Sequence, residues 1–85
     1  MSQANYESQK NLIRAKSKHF DRLGANIKNA RKGRGISQVS LAKLADIDRS
    51  YISQLENGLV NPTFLLLLSL AAALQVPLLS LIDIE

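Results

Sequence analysis

Eighty-five residues, 46% hydrophobic and 21% charged, are enough for one globular domain and too few for two. With no cysteine and one histidine (His19), the chain has no disulfide, thiolate nucleophile, cysteine-ligated metal or multi-histidine metal site. Its net charge of +4 is unevenly spread: nine cations between Lys10 and Arg34 face one acid, Asp21, and no lysine or arginine follows Arg49.

Residues 1–17 are rich in Ser, Gln, Asn and Lys without a clear apolar period, and are expected to form an arm, disordered or weakly helical. From Lys18 the spacing of Phe20, Leu23, Ile27 and Ala30 predicts an amphipathic helix, with Ser17 as its N-cap and Gly33 and Gly35 as its stop. Ser37 is placed to cap a second helix, Ser37–Ala45, with Leu41, Ala42 and Ala45 turned inward. Asp46-Ile47-Asp48 breaks the pattern, and Asp48 is placed to cap a third helix, Arg49–Glu56, whose inner side is Ile52 and Leu55. Asn57-Gly58 ends it. Asn61-Pro62-Thr63 opens a fourth helix with proline near its first position and an expected inner face of Phe64, Leu67, Leu68, Ala71 and Leu74. Pro77 starts a short fifth helix through about Ile82. No alternation of polar and apolar residues suggests a strand, so the chain is expected to be all-α.

The basic block points to a polyanion, either nucleic acid or an anionic membrane surface, against the plain alternative of a solvated face. An enzyme is disfavoured by inventory. Asp46, Asp48 and Ser50 are spaced like the start of a calcium loop, but the sixth position is Tyr51 instead of Gly and the twelfth is Asn57 instead of Glu. Gly33-Arg34-Gly35 is too short for a phosphate loop and follows a helix. No Ser/His/acid grouping exists beyond His19, a surface residue of the first helical turn. No metal, cofactor or small-molecule ligand is therefore expected. The polar opening Met-Ser-Gln-Ala-Asn shows no secretory signal, so the expected location is cytoplasmic.

Two short helices joined by a tight turn have the dimensions of a helix-turn-helix. The run Ser37-Gln38, Leu41-Ala42, Ile47, Tyr51-Ile52-Ser53, Leu55-Glu56-Asn57-Gly58, Asn61-Pro62 and Ala71-Ala73-Leu74 resembles the phage-repressor/Cro (XRE-type) family of DNA-binding domains. The resemblance covers roughly residues 20–82. It implies a five-helix lambda-repressor-like domain over 18–85, with the motif at helices 2 and 3 and its second helix in the major groove of duplex DNA.

On that resemblance, Arg49, Ser50 and Gln54 are the base-reading candidates. Arg49 can donate twice to guanine O6/N7, and Gln54 can address adenine N6/N7; Ser50 reads less specifically. Gln38, at the start of the second helix, is placed to bind a phosphate oxygen, as are Asn57, Asn61 and Thr63 around the next loop. Tyr51, Ser53 and Lys43 complete the phosphate set, although a serine or lysine on an exposed helix face needs no such role. Lys10, Arg14, Lys16 and Lys18 of the arm are placed to follow the backbone or reach a minor groove. Arg31 and Glu56 match paired positions of the family, a structural ion pair between helix 1 and the end of helix 3.

The chain departs from the family pattern in two places. Asp46 stands where the turn usually has glycine; aspartate tolerates the left-handed conformation better than most residues. From Phe64 to Ile82, 15 of 19 residues are apolar, more than one inner face needs. A membrane span is disfavoured, because Asn61-Pro62-Thr63 caps the segment and Gln75, Pro77 and two serines interrupt it. The expected cover is a second copy, through Leu65, Leu66, Ala72, Leu79, Ile82 and Ile84. The resulting reading is a homodimeric regulator on a palindromic operator, controlled by its own concentration and by promoter geometry. The alternative is a helix-turn-helix antitoxin, or another interaction module, whose apolar C-terminal surface covers a different protein.

Overall fold

The computed structural model describes residues 6–84, with side chains from Lys18 onward. Its five helices are α1 (Tyr6–Arg34), α2 (Gln38–Ala45), α3 (Arg49–Glu56), α4 (Phe64–Leu74) and α5 (Leu78–Ile82), and no strand occurs among the described residues. The first helix starts earlier than its apolar period suggests. Ser17 lies inside α1, not at its start. Residues 6–17 contain neither Gly nor Pro and are rich in Glu, Gln, Lys, Arg, Leu and Ala, so propensity alone can carry the helix outward. The backbone and minor-groove contacts expected of Lys10, Arg14 and Lys16 concern side chains outside the described set.

Four helix ends share one solution. After α1, the Ile36 N–H returns to the Arg31 carbonyl (3.3 Å) and the Gly35 N–H to Lys32 (2.9 Å). The same pair of bonds closes α2 at Asp46-Ile47, α3 at Gly58-Leu59 and α4 at Gln75-Val76. This geometry requires a left-handed residue at the turn. Gly35 (φ 76°) and Gly58 (φ 72°) adopt it freely, whereas Asp46 (φ 56°) and Gln75 (φ 59°) do so with a Cβ.

The N-termini divide less evenly. The Ser37 hydroxyl accepts the Ser40 N–H (3.0 Å), and the Thr63 hydroxyl accepts the Leu66 N–H (3.1 Å). Thr63 is thus the cap of α4 and Pro62 precedes it, two steps before the first helical position expected for it. Asp48 occupies the cap position of α3, but its carboxylate makes no capping hydrogen bond.

One core gathers Leu23 and Ile27 of α1, Leu41 and Ala42 of α2, Ile52 and Leu55 of α3, Leu67, Leu70, Ala71 and Leu74 of α4, and Leu81 of α5. Gly24 lets α1 lie against the end of α3: a Cβ there would stand 2.8 Å from the Glu56 carbonyl oxygen and nearer still to that of Leu55. Two residues further along α1, Asn26 donates to the carbonyls of Leu81 (3.0 Å) and Asp83 (2.9 Å), tying α5 to α1. The inner face of α4 differs from expectation. Leu70 is fully buried, while Phe64 and Leu68 are exposed. Where a helix is apolar all round, spacing cannot choose its face, and packing against α1, α2 and α5 does.

The two left-handed side-chain residues give a direct test. Relief of a left-handed Cβ is partly offset by the entropy glycine loses on folding, so Gln75→Gly should stabilise the domain by roughly 0.5–1 kcal/mol. Asp46→Gly should gain less, because aspartate already tolerates this conformation. Urea unfolding checks both, with Gly35→Ala as a destabilising control.

Candidate nucleic-acid interface

The motif helices are fixed by one buried carboxylate. Arg31 on α1 meets Glu56 at the last residue of α3 through two hydrogen bonds, Nε to Oε2 at 2.6 Å and Nη2 to Oε1 at 3.0 Å. The remaining Nη1 donates to the Ile36 carbonyl (3.0 Å) in the link between α1 and α2. Gln38, in the first turn of α2, donates its Nε2 to Glu56 Oε1 (3.0 Å). Three helices and a linker thus converge on this pair. It is the one ion pair among the described residues, and both side chains are buried.

Burial by itself would raise the Glu56 carboxyl. The hydrogen bonds from Arg31 and Gln38, with the charges of Arg31 and Lys28, outweigh it and hold the group below its usual value. The hydrogen bond to Glu56 likewise raises the Arg31 guanidinium, against the opposing effect of burial.

Because a carboxylate only accepts, Gln38 must turn its amide nitrogen inward and its Oε1 outward. That oxygen faces Arg49, whose Nη1 lies 3.4 Å away. Arg49, the first residue of α3, is therefore linked through Gln38 to the buried pair. Along the same helix Ser50 and Gln54 are exposed, Ser53 and Tyr51 half-buried, and Ile52 and Leu55 buried beneath them.

The other sequence-derived candidates separate by what already occupies them. Asn57 donates one amide hydrogen to the Ser53 carbonyl (2.8 Å), closing the last turn of α3 and keeping the other, and Thr63 caps α4 as an acceptor, which leaves its O–H to donate. Gln38 keeps one amide hydrogen beyond the one given to Glu56. Asn61 and Lys43 are exposed. On the apolar side, Leu65, Ala72 and Leu79 are exposed, Leu65 at 73% and Leu79 at 74%. Leu66, Ile82 and Ile84 are instead half-buried and packed on the chain's own core, so each offers less free surface. Phe64 and Leu68 are exposed on the same side of α4, and only the packing of that helix could have revealed this. Among the described residues no group of three or more His, Cys, Asp or Glu is arranged to hold a metal. None of the described helices is long and apolar enough to cross a membrane.

A helix-turn-helix family model matches residues 27–81. The chain is 35% identical over 63 residues to the immunity repressor protein of Bacillus phage phi105, covering 74% of this chain and 44% of that protein. It is 45% identical over 47 residues to the HTH-type transcriptional regulator PrpR of Mycobacterium tuberculosis, covering 52% of this chain and 10% of the regulator. The chain thus spans less than half the length of these curated relatives. Among solved structures, the restriction-modification controller protein C.AhdI from Aeromonas hydrophila superposes with a TM-score of 0.71 at 34% identity, covering 73% of this chain and 94% of the controller. The chain belongs to the helix-turn-helix family of the phage-repressor/Cro type.

The buried pair sets a pH signature. The folded Glu56 carboxyl lies below its unfolded value of about 4.3, so the unfolded chain binds the extra proton first as pH falls. The stability it contributes is complete above that value and is lost as pH drops through the lowered folded one. Thermal unfolding between pH 7 and pH 3 should show this loss, and Glu56→Gln should lack that component. At neutral pH Glu56→Ala should cost about 3–5 kcal/mol, because it leaves Arg31 buried and unpaired.

Proposed function

We propose that this chain is a sequence-specific duplex-DNA-binding regulator that acts as a homodimer on a palindromic operator. One observation carries the reading: the outer side of α3 presents Arg49, Ser50 and Gln54 to solvent, on a helix whose angle is fixed by the Arg31–Glu56–Gln38 junction. Arg49 donates to guanine O6/N7, Gln54 addresses adenine N6/N7, and Ser50 contributes a weaker contact. Gln38, Lys43, Tyr51, Ser53, Asn57, Asn61 and Thr63 hold the phosphates on either side, which sets register without reading sequence. Residues 1–17 are a basic arm that precedes the DNA-binding domain, 18–85. No catalytic step is assigned, and the setting is cytoplasmic.

The second copy covers the exposed apolar side of α4 and α5. Phe64, Leu65, Leu68, Ala72 and Leu79 supply that surface. Burying each large side chain contributes about 1.5–3 kcal/mol before association entropy is subtracted, so a few suffice for a stable dimer. A two-fold pairing would set the two α3 helices about 34 Å apart, one turn of duplex, and so calls for a palindrome.

Duplexes selected from a random pool provide the test. Arg49→Ala and Gln54→Ala should each cost about 1–3 kcal/mol on the selected site and relax preference at one position per half-site. Unchanged selectivity in Arg49→Ala would remove it from base reading. In sedimentation the wild-type chain should run as a dimer at micromolar concentration, and Leu79→Asp should run as a monomer and lose tight operator binding. A monomeric wild type would overturn the pairing, and solubility gained only on co-expression would point to a different protein as the cover.

A further inference from the structure

The outward face of α1 carries more charge than the site above uses. Lys18, Arg22, Lys28 and Lys32 are all exposed, and none takes part in an ion pair among the described residues. At 100° per residue they fall within an arc of about 120°, opposite the buried Leu23 and Ile27, and span about 21 Å of helix. The one acid in this arc, Asp21, has its carboxylate against Gly58.

This face adjoins the DNA-reading elements. Gly24 packs against the carbonyls of Leu55 and Glu56, and Asp21 against Gly58, so the outer side of α1 passes the end of α3 and the turn after it. Lys28 is near enough to Glu56 for its charge to stabilise that carboxylate. The turn holds Asn57 and leads to Asn61, both assigned above to phosphates. From the residue beside that turn, Asp21, the exposed face of α1 continues to Arg22 and back to Lys18.

We propose that Lys18, Arg22, Lys28 and Lys32 form a second, sequence-independent contact with the DNA backbone, which extends the footprint beyond the half-site read by α3. The proposal rests on the reading of α3 as the base-reading helix. A lipid surface fits this face less well. Its centre is Ala25 and Asn29, and it has no large apolar side chain to insert among headgroups. A duplex suits it better, because DNA offers one negative charge for about every 1.7 Å of its axis and so several phosphates along a face of this length.

Anisotropy titrations across a salt series test this with the selected duplex in two forms, trimmed to its core or carrying about 10 base pairs, one helical turn, on each side. The flanked duplex should bind the wild-type chain more tightly, with a steeper dependence of log affinity on log salt. Lys18→Gln with Arg22→Gln should abolish the gain from the flanks. For every phosphate left without its cation, whether by these changes or by Lys28→Gln and Lys32→Gln, the slope should flatten by about 0.9. Circular dichroism confirms that these surface variants fold. Arg49→Ala should keep the gain from the flanks while losing selectivity, which separates failure of this proposal from failure of the α3 reading. If no preferred duplex emerges, the same slopes are read on mixed-sequence duplexes of the two lengths. Equal slopes for the wild type and the four-residue variant on the long duplex would overturn the proposal. So would unchanged duplex binding together with loss of binding to phosphatidylserine vesicles, which would assign the face to a membrane.

Discussion

The buried contact between Arg31 and Glu56 is the constraint through which the rest of the motif is positioned. Its two hydrogen bonds join α1 to the end of α3, while the third guanidinium nitrogen holds the link at Ile36 and Gln38 brings in α2. A buried pair adds little net stability compared with apolar packing of the same volume, yet removing one partner strands a charge. In our reading its contribution is therefore geometric. It fixes the angle between α3, which we assign to base reading, and the scaffold behind it. Because a carboxylate can only accept, it also fixes which end of the Gln38 amide faces Arg49.

Away from this junction the molecule separates two kinds of surface. The outer sides of α1 and α3 are polar or cationic, whereas α4 and α5 expose Phe64, Leu65, Leu68 and Leu79. One protomer can bury only one stripe of α4 in its own core. An apolar residue outside that stripe is left facing water, and several of them on neighbouring turns form a patch of the kind that marks association. The two surfaces suit two partners of different chemistry, a polyanion and a second apolar face.

Much of this was legible in the residues because the local rules agree with one another. Ser37 caps α2, Gly58 ends α3, and Ile52 and Leu55 face inward, each as its spacing implies. Asp46 takes the left-handed turn that its place in the motif demands. The misses arose where a local rule is silent. No period distinguishes Phe64 and Leu68 from Leu70 in a run of leucines, so the face of α4 is decided by its neighbours. Residues 6–17 lack an apolar stripe, yet they hold helix formers without a breaker, and α1 runs through them. Glu56 could be paired with Arg31 from the motif, but the role of Gln38 between that pair and Arg49 is a three-dimensional fact.

The central claim, that Arg49 held on α3 reads a guanine, is tested most directly by a cycle between protein and DNA. Affinities of wild-type and Arg49→Ala chains are compared on the selected duplex and on one in which a single guanine per half-site is replaced by 7-deazaguanine, which lacks the N7 acceptor. If the contact exists, the base change weakens the wild type by about 1–3 kcal/mol and costs the variant almost nothing, because the interaction is already gone. Equal losses for both proteins at every guanine of the site would contradict the account, and would place base recognition on residues other than Arg49.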